Sequence, residues 1–187
     1  MWLDEIEKAL PGATSGSADG GVSADALGAV LSWMQERQGE AFVIATANDV
    51  TGLPPELLRK GRFDEVWFID LPNESERQAI LSTALKAHNR ADVQIDSARV
   101  SSASDGFTGS EIAALVPDAL FAAFGNGTEP REIATDDLIT AARSIVPLTK
   151  TMGDKLTRLR EWASGRARMA TSTIASRAAS TTRQLDI

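Results

Sequence analysis

Apolar positions fall along this chain in two rhythms. Residues 42–48 read Phe-Val-Ile-Ala-Thr-Ala-Asn, a short, nearly unbroken apolar run rich in β-branched side chains that ends on a polar amide. Such a run, bounded by turn residues, predicts a strand buried on both faces, as in a parallel sheet. Trp2-Leu3 predicts the end of a neighbouring strand, residues 65–71 a further strand, and residues 131–134 a short strand segment. The other rhythm is helical. Leu27, Val30, Leu31 and Met34 share one face of a helix predicted over 23–38, with Ser23 as its cap and Gly39 as its end. Ile80, Leu81 and Leu85 mark a helix over 74–86. Asp96 opens another helix within 95–104, and Thr108 with Glu111 forms a capping box for 109–124, where Pro117 predicts a kink. Thr135 caps a helix through Val146, with Leu138, Ile139, Ala142 and Ile145 inward. Leu156, Leu159, Trp162 and Ala163 mark a last helix over 151–166. A short helix or turn is expected over 5–10, and Leu53-Pro54-Pro55 starts another short helix. Residues 11–22 are Gly/Ser-rich and read as a loop. Residues 167–187 lack an apolar face and read as disordered or weakly helical.

The expected architecture is therefore an α/β core followed by helices and a tail: core 1–72, helical unit 73–147, and C-terminal helix and tail 148–187. Composition narrows what such a chain can do. The 187 residues are 43% hydrophobic but only 5% aromatic, so any core is aliphatic and alanine-rich. The net charge of −7 argues against a nucleic-acid or membrane-surface role, both of which want a basic face. Without cysteine there is no disulfide, zinc-thiolate site or cysteine nucleophile, and the single His88 rules out a multi-histidine metal site. No apolar run approaches the ~20 residues that span a bilayer, and the N-terminus is acidic, unlike a signal peptide. A soluble, cytoplasmic protein is expected.

Candidate chemistry gathers at the strand ends, where open α/β sheets bind ligands. Asp4 and Glu5 follow the first strand. One carboxylate can hold Mg²⁺ and the other can polarise an attacking water, although an exposed helix start accounts for the pair equally well. Asn48 ends the second strand. It sits where such sheets bind ligands, or else caps the next turn beside Asp49. Arg59 and Arg62, three apart, can reach one phosphate group. The plainer alternative pairs Arg62 with Asp64 or Glu65 on the surface, worth about 0–1 kcal/mol.

Four stretches, in order, resemble AAA ATPases. Leu3-Asp4-Glu5 resembles the end of a Walker B strand, and Ala45-Thr46-Ala47-Asn48 their first sensor. The run from Leu57 to Asp64 resembles the end of their second region of homology, and Gly106-Phe-Thr-Gly-Ser-Glu-Ile112 their lid motif. The tract Asp4-Glu-Ile-Glu-Lys8 and residues 147–168 resemble in particular the AAA family encoded in red-algal chloroplast and cyanobacterial genomes, also found in other bacteria. The resemblance covers roughly residues 1–147. It implies the C-terminal half of a P-loop NTPase core, a helical lid and ATP hydrolysis in a homo-oligomeric ring, typically a hexamer, acting on a protein client. Asp4 would hold Mg²⁺, Glu5 would polarise water and Asn48 would sense the γ-phosphate. Arg59 and Arg62 would be fingers for a neighbouring subunit, worth about 10³–10⁵ in rate in related enzymes. Gly109 and Ser110 would lie near the base and ribose. Ser110 departs from the usual Ala, and Ala84 stands where many relatives carry a His. A plastid-encoded member would work in the chloroplast stroma.

The Gly-x-x-x-x-Gly-Lys-Ser/Thr loop that cradles phosphates is absent from the chain. The expectation is a module whose resemblance begins inside Walker B, either preceded by an upstream segment or truncated. Two rival expectations follow: a non-catalytic fragment that donates arginines to, or inhibits, a full-length partner; and an unstable fragment with exposed apolar edges.

Overall fold

The computed structural model describes residues 1–9, 20–36, 41–59, 61–125 and 131–171. The chain forms two compact units, one of Met1–Val66 with Glu161–Arg168, the other of Trp67–Arg160 with the residues from Met169 onward.

In the first unit, β1 (Trp2–Leu3) pairs in parallel with β2 (Ile44–Ala45), Trp2 opposite Ile44 and Leu3 opposite Ala45. The helix α1 (Ile6–Ala9) follows β1 directly, and α2 (Gly20–Glu36) precedes β2. Their core is Ile6, Met34, Leu53 and Leu57, with Leu3, Val30, Leu31, Ala45 and Phe63 packed against it. Among the described residues, only one face of the β1–β2 ladder is covered. Side chains alternate across a strand, so Leu3 and Ala45 face this core while Trp2, Phe42 and Ile44 share the other face. Those three are 71%, 80% and 51% exposed. The expected strand buried on both faces is thus corrected: an apolar run carries no information on whether both faces have partners.

Other expectations shift locally. α2 starts at Gly20, so Ser23 lies inside it and is not its cap. Glycine costs little in a first turn, where the N–H groups have no intrahelical acceptor anyway. The expected helix at Leu53-Pro54-Pro55 is a run of turns in which Leu57 and Leu58 donate to the carbonyls of Pro54 and Pro55. A 3₁₀ turn, Val50–Gly52, precedes it, capped by Asp49. The loop expected over 11–22 and the end expected at Gly39 lie largely outside the described residues, as does Leu27's side chain.

The second unit is a cluster of helices: α3 (Glu74–Ala87), α4 (Ser97–Ala103), α5 (Gly109–Gly125) and α6 (Thr135–Ser144). Leu81, Val100, Leu115, Val116 and Leu138 are at most 1% exposed and lie in one core. Deleting such a side chain to Ala costs about 2–5 kcal/mol. Local chemistry sets the helix starts. Asn73 and Glu76 form a reciprocal capping box on α3, Asp96 accepts from Arg99 N on α4, and Thr108 with Glu111 does the same on α5. α5 continues through the exposed Pro117. Arg77, buried on α3, donates to the carbonyls of Ser101 and Pro72 at 3.0 Å and pairs with Asp105. A charge buried there is tolerable because it is paired and hydrogen-bonded.

The expected strand over 131–134 is not formed; this stretch is held by side chains. Arg131 makes a bidentate pair with Asp137, whose Oδ2 also accepts from Ala134 N at 2.7 Å. The helix starts at Thr135 itself with Ala134 in the cap position, and Thr135 Oγ1 accepts from Asp96 N. The helix expected over 151–166 forms as α8 (Gly153–Ala163), and a separate short helix, α7 (Leu148–Thr151), precedes it. Arg160 of α8 forms a bidentate pair with Asp70. Of the stretch 65–71, only β3 (Trp67–Phe68) is strand. Residues of the expected tail pair beside it as β4 (Arg168–Met169), Ala170 N donating to Phe68 O. A backbone ladder needs no apolar face, so composition did not reveal this one. The tail beyond Thr171 lies outside the described residues.

The hydrogen-bonded Arg131 guanidinium holds the Asp137 carboxyl below its ordinary 3.8. A carboxylate that binds its proton less readily when folded stabilises the fold above its ordinary value, and the contribution disappears as pH falls through the lower folded-state value. Asp137→Asn is therefore expected to lower the melting temperature at pH 7 by about 2 °C. Thermal scans at falling pH should show the gap to wild type closing below 3.8.

Candidate functional site

The acidic pair and the amide meet because two parallel strands end side by side. β1 leaves its ladder at Asp4, and Glu5 adopts a left-handed backbone with φ of 48°. A non-glycine residue holds that conformation at a cost of about 1–2 kcal/mol. The reversal starts α1 at once and leaves the Glu5 carboxylate at the end of the sheet. Opposite, β2 ends and Asn48 follows. Its side-chain amide donates to Glu5 Oε1 at 2.7 Å.

Thr46 crosses between the strands. Its Oγ1 accepts from Glu5 N at 3.0 Å and donates to Asp4 Oδ1. Ile6 N donates to Thr46 O at 2.9 Å. One threonine thus orients the Asp4 carboxylate and the strained peptide of Glu5. Two more side chains close the group. Lys8 Nζ donates to Glu5 Oε2 at 2.5 Å, and the Glu5 carboxylate raises the Lys8 pKa. Asn48 N donates to Glu7 Oε1 at 3.0 Å. Asp4, Glu5 and Asn48 were expected at this edge. Thr46, Glu7 and Lys8 were not; the only signal for Thr46 was a hydroxyl at the end of an apolar strand.

Each carboxylate oxygen has two lone-pair directions, so Glu5 can bind a water while keeping Asn48 and Lys8. Asp4 is exposed, and its Oδ2 has no hydrogen-bond partner among the described residues. One free carboxylate oxygen suits Mg²⁺, which takes one or two carboxylates and fills its remaining positions with water and phosphate oxygens.

The two arginines differ. Gly61, at φ of 91°, turns the chain between them, and Arg62 N donates to Arg59 O at 3.3 Å. Arg62 lies back on α2: Nη1 donates to Leu31 O at 3.0 Å. With its amide oxygen turned toward the guanidinium, Gln35 accepts from Nη2 at 2.7 Å. The surface pairing of Arg62 with Asp64 or Glu65 is not formed. Arg59 is exposed, with no side-chain partner among the described residues.

Gly109 and Ser110 belong to the second unit, in the first turn of α5. Ser110 is exposed, and a methyl at Gly109 would meet Ile80 at an ordinary 3.6 Å. Ala84 is buried in the helical core, and His88 forms the C-cap of α3. Two clefts in this unit, of about 480 and 380 Å³, are lined by neither Gly109 nor Ser110.

Residues 1–71 match the family described as ATPase family associated with various cellular activities (AAA). The chain is 40% identical over 175 residues to the uncharacterized AAA domain-containing protein ycf46 of Pyropia yezoensis, covering 92% of this chain and 35% of that protein. It is 39% identical over 172 residues to the ycf46 protein of Guillardia theta, covering 91% and 33%. The chain thus spans about a third of the length of these curated relatives. Its fold is similar to a crystal structure of the FIGL-1 AAA domain in complex with ADP, with a TM-score of 0.69 at 18% identity, over 89% of this chain and 57% of that one.

Thr46→Val keeps the β-branched shape and removes both hydroxyl bonds. It is expected to cost about 1 kcal/mol of stability, read as a lower urea midpoint with an unchanged slope. Thr46→Ser should restore most of the loss.

Proposed function

Because this chain belongs to the AAA ATPase family, we propose that it supplies the water-activating edge of an ATP-hydrolysing site, working in a ring that remodels a protein client. The observation that carries this reading is the 2.7 Å bond between Asn48 and Glu5 across the ends of two parallel strands. In this reading Glu5 accepts a hydrogen bond from the attacking water and draws its proton away as the water's bond to the terminal phosphorus forms and the bond from that phosphorus to the leaving ADP oxygen breaks. Asn48 holds the Glu5 carboxylate in place and turns its amide toward the terminal phosphate. Asp4, oriented by Thr46, uses its free oxygen toward Mg²⁺, directly or through the ion's waters. That ion, when bound, would neutralise charge on the phosphates.

In this reading Arg59 acts on a neighbouring subunit's nucleotide, which its exposed guanidinium supports. Arg62 would first have to leave Leu31 and Gln35. A finger of this kind lowers a phosphoryl-transfer barrier by roughly 4–7 kcal/mol. Gly109 and Ser110 take the place near base and ribose that the family likeness assigns to the start of this helix. A hexameric ring and a place in the cytoplasm or the chloroplast stroma belong to the same proposal, supported by the relatives alone.

A second reading draws on the absence of the phosphate-cradling motif: this chain donates Arg59 to a partner's site without turning over ATP itself. One assay separates the two. With the chain joined behind a phosphate-loop segment in an ATPase ring, Glu5→Gln should keep ATP bound and lower turnover at least 10²-fold, the lower end of general-base effects. Undiminished turnover would sink the assignment of Glu5. A rate change caused by the separate chain, abolished by Arg59→Ala, would favour the second reading.

A further inference from the structure

Asn48 can serve Glu5 only if its backbone stays where β2 leaves it, and it is the third residue beyond the last paired one. The chain turns immediately afterwards into the 3₁₀ element Val50–Gly52. What fixes Asn48 is a side chain from across the sheet end. Glu7, in the first turn of α1, accepts from Asn48 N at 3.0 Å, while Glu5 accepts from Asn48 Nδ2 at 2.7 Å. The amide residue is therefore gripped twice, at backbone and side chain, by two acids two positions apart.

The grip has a cost. Glu7 Oε2 is shut off from solvent and has no hydrogen-bond partner among the described residues. A half-satisfied carboxylate opposes folding, and such a group calls for an explanation. The stem of Glu7 also lies against the 3₁₀ turn, its Cβ 3.9 Å from where a methyl on Gly52 would sit. An acid in the first turn is favourable to a helix dipole anywhere on that turn. The dipole explains neither the buried oxygen nor its partner on the other strand. The left-handed Glu5 supplies the geometry: by reversing the chain in one residue, it brings Glu7 back over the end of β2.

We propose that Glu7 is a positioning residue that holds the Asn48 backbone so that its side-chain amide is delivered to Glu5. The catalytic consequence rests on the ATPase reading; the positioning itself does not.

The test begins on the 187-residue chain without nucleotide. Amide hydrogen exchange is followed by NMR in wild type, Glu7→Ala and Glu7→Gln, with the ladder amides of Ile44 and Thr46 as internal references for folding. In Glu7→Ala the Asn48 amide should exchange roughly tenfold faster, and its side-chain amide signals should move, while the references keep their protection. Glu7→Gln keeps an acceptor oxygen and should restore both. Unchanged Asn48 exchange in Glu7→Ala overturns the positioning role. Loss of protection at the references as well means that Glu7 supports the unit at large, and overturns it too. In a ring completed with a phosphate-loop segment, Glu7→Ala should lower kcat for ATP with little change in KM, and Glu7→Gln should recover it. If exchange changes but kcat does not, the link from Glu7 to the chemistry is overturned. A ring whose wild-type form shows no turnover instead contradicts the ATPase reading and leaves the exchange result to decide the positioning.

Discussion

The site depends on one constraint, that two short parallel strands end at the same level. Parallel register puts the carboxyl ends of β1 and β2 together, so that the residue after one strand and the residues after the other must share a small polar volume. Thr46 ties the ends by accepting from Glu5 N and donating to Asp4. With the ends tied, the chain starts α1 through the strained turn at Glu5, and Glu5 and Glu7 both reach Asn48. The apolar half of the arrangement lies underneath, where Ile6, Leu3 and Ala45 join Met34, Leu53 and Leu57. Polar groups at the strand ends can be placed to within hydrogen-bond distance because the packed layer below leaves the ladder one register.

How far this was legible varies with the range of the interaction. Caps are local, and Asn73, Asp96 and Thr108 do act at the starts of their helices, although only the last two were foreseen as caps. Thr135 was misread because the helix already begins at Thr135, and its hydroxyl accepts from the distant Asp96 N instead. Strand extents were overestimated. Residues 42–48 have the composition of a central strand, but a ladder is as long as its partner, and β1 offers only Trp2 and Leu3. For the same reason, periodicity could not show that Trp2, Phe42 and Ile44 would stay exposed. Among the described residues, nothing covers that face.

In the site, residue types at strand ends pointed to Asp4, Glu5 and Asn48, and the structure brings these three together. The partners that shape them were not visible. Glu7 and Asn48 are 41 residues apart, and Arg62 and Leu31 are 31 apart; no local pattern encodes such meetings. The arginines show the consequence. Read from the sequence, both were finger candidates. In the fold, Gly61 separates them, leaving one guanidinium on α2 and the other exposed.

The central proposal is that Glu5 and Asn48 together hold the water that attacks ATP. The most direct measurement is a high-resolution crystal structure of the assembled ATPase ring carrying this chain, with Mg²⁺ and a non-hydrolysable ATP analogue. The account predicts an ordered water within hydrogen-bond distance of a Glu5 carboxylate oxygen and in line with the terminal phosphate, the Asn48 amide still on Glu5 or turned to that phosphate. A water positioned by other residues, with Glu5 and Asn48 turned away from the nucleotide, would contradict it.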